Sequence, residues 1–320
     1  MTESSNEVLL DGNGNVLLRN GSALMLGSGS NGDDWGASLR GDIEVDNTFI
    51  CAPYKCQHNH SITSFSAPNV TSATLVYCFY GCTALTSVSG FSNLTNILTS
   101  EFQYCFINCT TLTTVPTFAN VESIGKNGCQ SCFQNCTALT TAPTFASLTT
   151  VYSQGLSSCF NDCPNLTTAP TFASLTTLPD GQEFYSCFQK CSRLTTAPTF
   201  ASLTRASSSS FKSCFAYCSG LTTAPTFASL TRIGSSCFEE CFYGCTLLPS
   251  ISFPALTTTS FQVSNVFNNM FNSSTASRSG TCTIHFPSNL ESTIQGLTGY
   301  PLFGGTSGRI VLAFDLPATS

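Results

Sequence analysis

Charged residues are scarce in this chain. Only 9% of its 320 residues are Asp, Glu, Lys or Arg, against about 25% in typical soluble domains. The 11 Lys and Arg residues form no basic cluster and the formal net charge is −6, so nucleic acid is not an expected partner. The surface must therefore be covered by neutral polar side chains, which Ser, Thr and Asn supply.

Long apolar runs and histidines are also scarce. No stretch approaches the roughly 18 apolar residues of a transmembrane helix, so membrane insertion is not expected. The opening MTESSNEVLLDG has neither the basic nor the apolar segment of a signal peptide. With three histidines, no recurring acidic pair and no Gly-rich phosphate loop, the chain offers few groups for catalysis. We therefore expect a non-enzymatic protein without a cofactor.

The chain does contain a repeated phrase, Cys-Phe-x-x-Cys, which occurs seven times between residues 78 and 245. Successive phrases are 27 residues apart, with one interval of 28. A period of this size predicts a solenoid of stacked coils. In each unit the first cysteine is position 0 and the second is position +4. The predicted ladder of cysteines is Cys78, Cys82, Cys105, Cys109, Cys132, Cys136, Cys159, Cys163, Cys187, Cys191, Cys214, Cys218, Cys241 and Cys245.

Each unit predicts a short helix and a short strand. Apolar residues at positions −3, 0, +4 and +7 are spaced as on one face of a helix, so one to two helical turns are expected at each phrase. The segment that follows, clearest as LTTAPTFASLTT at 139–150, predicts a short extended strand and a turn, because Pro143 interrupts any helix. The predicted fold is a repeat solenoid of about eight coils of about 27 residues, with one parallel strand and one short helix per coil.

Three regions are predicted. Residues 46–281 form the solenoid, 1–45 a small β unit for attachment or oligomerisation, and 282–320 a C-terminal cap. In the first region, apolar runs separated by DGNGN and RNGS predict three strands joined by tight turns, at 8–10, 16–18 and 24–26. The cap is expected to contain a strand, a short helix and a final strand, at 283–286, 288–297 and 310–314.

A degenerate eighth unit is expected after the seventh phrase. In an alignment on the cysteines, Val263 takes position −3, and Val266 and Met270 take positions 0 and +4. Hydrophobic residues in both cysteine positions favour a packing role for the cysteines.

Three kinds of cysteine chemistry can be compared. Cys129 occupies a position filled elsewhere by Leu or Phe, which favours packing over zinc binding. Cysteines at i and i+4 rarely form a disulfide, because their Cβ vectors run side by side. We therefore expect buried free thiols, close to 19 of them. A separate metal candidate is Cys51, Cys56, His58 and His60, although its spacing is not that of a zinc finger and ordinary turn residues are the alternative.

Threonines and the segments between phrases are the candidate binding surface. Stacked coils would place Thr in a straight file on the exposed sheet face, at Thr113, Thr140, Thr167, Thr195 and Thr222. Thr is also a good strand former, so the file could be structural or a product of recent duplication. The variable segments before each phrase supply three aromatic candidates, Tyr152, Phe184 and Tyr185, because loops on a rigid scaffold often carry binding.

The repeated SCFxNCxxLTT…P…L pattern and the terminal IHFPSNLESTIQGLTGY resemble the BspA-like (Treponema-type) leucine-rich repeat family over roughly residues 50–300. The family's unit carries an Ala-Phe-x-x-Cys segment, and Cys78 and its equivalents stand in the alanine place. The resemblance implies a leucine-rich-repeat solenoid, and adhesion or surface recognition rather than catalysis. It implies no fixed binding residues.

Three functional hypotheses follow. The first is a virion- or tail-associated protein, made in the host cytoplasm, that recognises a protein or glycan on a cell surface, with residues 1–45 as anchor and as a site for homo-oligomerisation. The second is a structural decoration or fibre subunit that contacts other particle subunits, or a bacterial cell-surface adhesin. The third is an ice- or glycan-binding Thr array.

Overall fold

The 27-residue period of the sequence becomes one coil of a solenoid. The computed structural model describes residues 9–10, 16–17, 24–26, 41–45, 48–51, 56–257, 265–271, 280–296 and 309–319. Its strands in chain order are β1 (Leu9–Leu10), β2 (Val16–Leu17), β3 (Leu24–Leu26), β4 (Gly41–Glu44), β5 (Thr48–Cys51), β6 (Ile62–Ala67), β7 (Ser72–Thr74), β8 (Ser87–Gly90), β9 (Asn96–Ile97), β10 (Ser123–Ile124), β11 (Thr150–Val151), β12 (Thr177–Leu178), β13 (Arg205–Ala206), β14 (Arg232–Ile233), β15 (Ser250–Ser252), β16 (Cys282–Pro287) and β17 (Ile310–Leu316). A 3-10 turn, Ser288–Leu290, leads into helix α1, Glu291–Gln295.

Each regular coil contributes two short parallel contacts. Strands β9 to β14 form a six-stranded parallel sheet with one strand per coil. A second column runs through the Thr-Thr pairs as single parallel bridges, such as Thr141 to Thr168 and Thr168 to Thr196. The predicted parallel stacking, and with it the solenoid fold, is confirmed.

The helix predicted at each phrase is wrong, since the segment is a run of turns. Alternate backbone N–H groups bond within the coil and to the next coil: Cys132 N donates to Cys129 O at 3.2 Å, whereas Phe133 N donates to Cys159 O at 2.9 Å. Residues such as Asn135, with φ of 57°, take the left-handed conformation that allows this alternation. Side-chain spacing could not reveal it, because the same positions point inward in a helix and in these turns.

Two columns of stacked phenylalanines run through the core, and a third column, at position −3, holds Phe in some coils and Leu or Cys in others. The column at position +1 has ring centroids 5.4–5.7 Å apart and nearly parallel rings. The column from the PTF segments is also stacked, and the rings at position −3 meet it edge-on, as Phe184 meets Phe172 at 80°. Both geometries are favourable for aromatic pairs. The +1 column is Phe79, Phe106, Phe133, Phe160, Phe188, Phe215, Phe242 and Phe271.

The predicted register of the degenerate unit is wrong by four residues. Phe242 N donates to the carbonyl of Met270, and Phe238 stacks on Phe267. Met270 therefore stands at position 0 and Phe267 at position −3, so Val266 is not in a cysteine position. Register is set by backbone bonds and by aromatic stacking rather than by residue similarity, and FNNMF aligned with FEECF carries that signal.

Strand pairing continues through both ends of the predicted solenoid. Within the first 45 residues, β1 and β2 pair antiparallel, as predicted for a hairpin whose turn residues lie outside the described part, and β2 pairs in parallel with β4. Strand β4 pairs in turn with β6, so pairing crosses residue 45. At the other end β15 pairs with β16 and β16 with β17. The attachment role of residues 1–45 stays a prediction.

Candidate binding surface

The cysteine ladder lies inside the solenoid. In the described part of the chain, 17 cysteines are buried and form no disulfide. The thiol at position +4 also donates a hydrogen bond to a backbone carbonyl of the preceding coil, as Cys136 Sγ does to Phe106 O at 3.2 Å and Cys163 Sγ to Phe133 O at 3.1 Å. The second cysteine is therefore a donor as well as a packing residue.

Cys78 corrects the expectation of thiols throughout, because it is disulfide-bonded. The geometric argument against disulfides covered cysteines at i and i+4 of one unit. Cys82 forms no disulfide, so the bond at Cys78 is not of that kind.

Burial suppresses the reactivity of the ladder thiols. Loss of solvation raises the pKa of Cys82 and of Cys163 to about 12, and it also raises the pKa of Cys132 and Cys187 well above the usual value. The thiolate is the nucleophile and the metal ligand. At neutral pH these cysteines are therefore protonated and poor nucleophiles.

The Cys51, Cys56, His58 and His60 candidate is only partly described. Cys56 is buried, His60 Nδ1 lies 2.6 Å from Thr83 Oγ1, and the His58 ring meets Tyr80 edge-on. The Cys51 side chain lies outside the described residues. Among the residues that are described, no three His, Cys, Asp or Glu side chains are grouped closely enough to hold a metal ion.

All five threonines of the predicted file are exposed. Three of their hydroxyls donate to a carbonyl of the preceding coil: Thr113 to Thr86, Thr167 to Thr140 and Thr222 to Thr195, each at 3.1 Å. These hydrogen bonds connect neighbouring coils. Because each hydroxyl hydrogen is already used, only the oxygen lone pairs remain to accept a hydrogen bond from a ligand.

The aromatic candidates separate into surface and core. Tyr152 is 44% exposed and Tyr185 is half-buried. Phe184 was expected on the binding surface, but it is fully buried and stacks on Phe211 with centroids 5.5 Å apart. Phe184 occupies position −3, which points into the core in every regular coil, so the prediction for this residue is wrong.

A groove that the sequence reasoning missed crosses three neighbouring coils near the ends of β12, β13 and β14. It has a volume of about 340 Å³ and is lined by Pro179, Asp180, Arg205, Ser208 and Arg232, among others. The signal was present in the sequence. The column of strand-leading residues reads Asn96, Ser123, Thr150, Thr177, Arg205 and Arg232, so only its last two members are charged.

This repeat matches a known family. The model of the BspA type leucine rich repeat region matches in six copies, over residues 50–194, 103–241 and 212–294. The chain belongs to the BspA-type leucine-rich repeat family. No curated protein matches the chain at a significant level.

Solved leucine-rich repeat structures resemble this BspA-type chain at low identity. The Treponema pallidum leucine rich repeat protein TpLRR is 15% identical, with 78% of this chain and 90% of that chain covered and a TM-score of 0.34. A leucine rich cell surface protein of Faecalibacterium prausnitzii is 15% identical, with 98% and 94% covered and a TM-score of 0.32. At these scores the structures support no argument beyond the family match.

The BspA-type solenoid offers faces for binding. In the described part of the chain, the cysteines are buried and no grouped metal ligands occur. Nor does any helix in that part have the length and apolarity needed to cross a membrane. Repeat proteins of this kind bind through the extended surfaces of the stack, and here the exposed groups differ from coil to coil.

Proposed function

We propose that this BspA-type solenoid is a non-enzymatic binding protein that recognises a protein or glycan on a cell surface, and that it does so as part of a virion or phage tail. One observation carries the proposal: an invariant, internally bonded frame presents segments that vary from coil to coil. Tyr152, Tyr185 and Arg205 stand at different positions of three successive coils, each at least partly exposed. Variation restricted to exposed positions of a rigid scaffold is typical of recognition.

The recognition part is tested by labelling the full chain with a fluorophore and measuring binding to a panel of bacterial cells. We expect saturable binding to a subset of strains. A Tyr152→Ala variant should weaken binding at least severalfold, because an exposed aromatic side chain is a common contact anchor. Thr176→Ser is the matched control, since Ser keeps the hydroxyl that bonds to Thr149 O. Absence of saturable binding to every strain would contradict the recognition role.

The location is tested separately, by mass spectrometry of purified particles and immunogold labelling of producer cells. The proposal expects the protein in particles, in fixed ratio to capsid or tail proteins. Labelling of the producer cell surface, with none in particles, would instead establish the bacterial adhesin and contradict the virion role. Labelled particles that bind no cells would indicate a structural subunit.

A further inference from the structure

Two arginines of the groove lie side by side on adjacent strands. Arg205 and Arg232 are exposed and are paired in register on the adjacent parallel strands β13 and β14. Two lysines of neighbouring coils do meet a carboxylate, Lys190 that of Asp162 at 3.7 Å and Lys212 that of Glu239 at 3.1 Å. Across the part of the chain that the structure describes, neither arginine is in a salt bridge.

Like charges on directly opposed residues of neighbouring strands are unfavourable. The fold does not require this repulsion between the two arginines. In the four preceding coils the same column carries the uncharged residues Asn96, Ser123, Thr150 and Thr177. An anion between the two guanidinium groups would turn the repulsion into attraction. The planar guanidinium fork suits a carboxylate or sulfate, which it can hold through two parallel hydrogen bonds.

The wall of the groove is held rigidly. The coil between Cys159 and Cys187 has the one 28-residue interval. The fully buried carboxylate of Glu183 accepts hydrogen bonds from the backbone N–H groups of Asp180, at 2.8 Å, and of Gly181. Its other oxygen accepts from Ser210 Oγ in the next coil at 2.8 Å. This buried carboxylate therefore fixes the turn that forms one side of the groove.

The other side of the groove is fixed by close approach of the coils. Ser207 Oγ donates to Pro179 O at 2.7 Å, which joins two coils that line the groove. At Gly234 a Cβ would overlap the backbone of Ser207 and Ser208, so only glycine allows this spacing. A site that is organised before binding loses less entropy when its ligand arrives.

We propose that Arg205 and Arg232 bind the carboxylate or sulfate of an acidic saccharide, with the neighbouring serines bonding to sugar hydroxyls. The groove volume of about 340 Å³ lies at the lower end of the range for small-molecule sites, so it fits the acidic residue of a larger glycan. Asp180 also lines the groove, and its negative charge disfavours a densely charged polyanion. The inference rests on the proposed recognition function and names the chemical class of the ligand.

The test uses three ligands that share one scaffold: 3′-sialyllactose for the carboxylate, 3′-sulfated lactose for the sulfate, and lactose as the neutral control. Calorimetric titration of the full chain should show binding of at least one acidic form, with lactose at least tenfold weaker. Arg205→Gln and Arg232→Gln should each lower that affinity about tenfold or more, because a charged hydrogen-bond partner is lost. Arg193→Gln, which removes an arginine bonded to Asn165, should leave it unchanged.

Thermal stability provides an independent test of the arginine pair. At low salt and without ligand, Arg232→Gln should raise the midpoint of thermal unfolding by about 1–3 °C, because it relieves repulsion across the strands. A lower midpoint would mean that the arginine pair supports the fold, and would overturn the inference. So would equal binding of lactose and both acidic forms, no binding of either acidic form, or unchanged affinity in the double variant. If the double variant still bound cells like the wild type, the groove inference would fail while the recognition function stood.

Discussion

The thiol at position +4 combines burial with a directed hydrogen bond. Each +4 cysteine from Cys109 to Cys245 donates to the carbonyl of the phenylalanine at position +1 in the preceding coil, at 3.0–3.2 Å. In five of these six pairs the carbonyl also accepts the N–H of the residue three positions on, the exception being Phe160. Cysteine suits the position because it is small, apolar and still a weak donor.

Cys163 tests this role, because Ala and Ser differ mainly in the ability to donate. Cys163→Ala should lower the free energy of unfolding by about 1–2 kcal/mol, through the lost bond to Phe133 O and a small void. Cys163→Ser should be more stable than Cys163→Ala by about 0.5–1 kcal/mol, because its hydroxyl still donates. Urea unfolding of both variants provides the measurement. If the Ala variant were as stable as the Ser variant, the hydrogen bond of the thiol would contribute nothing to stability and its role would be packing alone.

The same thiols predict how stability depends on pH. Burial raises the pKa of Cys82 and Cys163 in the folded state from 9.0 to about 12. A raised pKa contributes stability that is fully present below the unfolded value and is lost as pH rises towards the folded one. We therefore expect a thermal midpoint that is constant from pH 7 to 8.5 and falls steeply above pH 9. A midpoint that stayed constant to pH 11 would be incompatible with buried thiols.

At the scale of the element, the turn segment is the main departure from the expected helix. Alternate residues donate to the next coil, which requires a left-handed residue at positions −1 and +3 of each unit, as at Ser186 and Lys190 with φ of 52° and 63°. Glycine takes the +3 position at Gly81 and Gly244. The turns therefore form a hydrogen-bonded face of the solenoid, in addition to the parallel sheet.

Lys190 distinguishes the turn from the helix. In a helix, Ala is more stable than Gly by about 1 kcal/mol. At a left-handed residue the order inverts, because the Cβ of Ala costs roughly 1–2 kcal/mol there. We expect Lys190→Gly to melt at a higher temperature than Lys190→Ala, measured by circular dichroism. The opposite order would restore the helical interpretation.

For the whole molecule, each coil contacts mainly its two neighbours. The phenylalanine columns and the bonds between coils repeat at nearly constant spacing, as in the 5.4 and 5.7 Å separations on either side of Phe133. Stability in such a stack is approximately a sum of terms for each coil and each interface. We therefore expect that, when one complete coil is removed, the coils on either side of it can stack on each other.

Deletion of residues 132–158, which is one complete unit, tests this modularity. The shortened chain should fold with an unchanged circular dichroism spectrum per residue, and its thermal midpoint should fall by only a few degrees. Deletion of 132–145 would join two different parts of the coil and should prevent folding. Equal damage from both deletions would contradict the modular description.

The sequence by itself determined the period, the parallel stacking, the buried cysteines and the family, because these depend on which residues recur and at what spacing. The tertiary structure alone decided the turn conformation, the register at Met270, the inward position of Phe184, the disulfide at Cys78 and the pairing of Arg205 with Arg232. Each of these depends on which backbone groups of neighbouring coils meet. Groups 27 residues apart in sequence become neighbours only when the coils stack, so a linear pattern indicates the column but not the contacts within it.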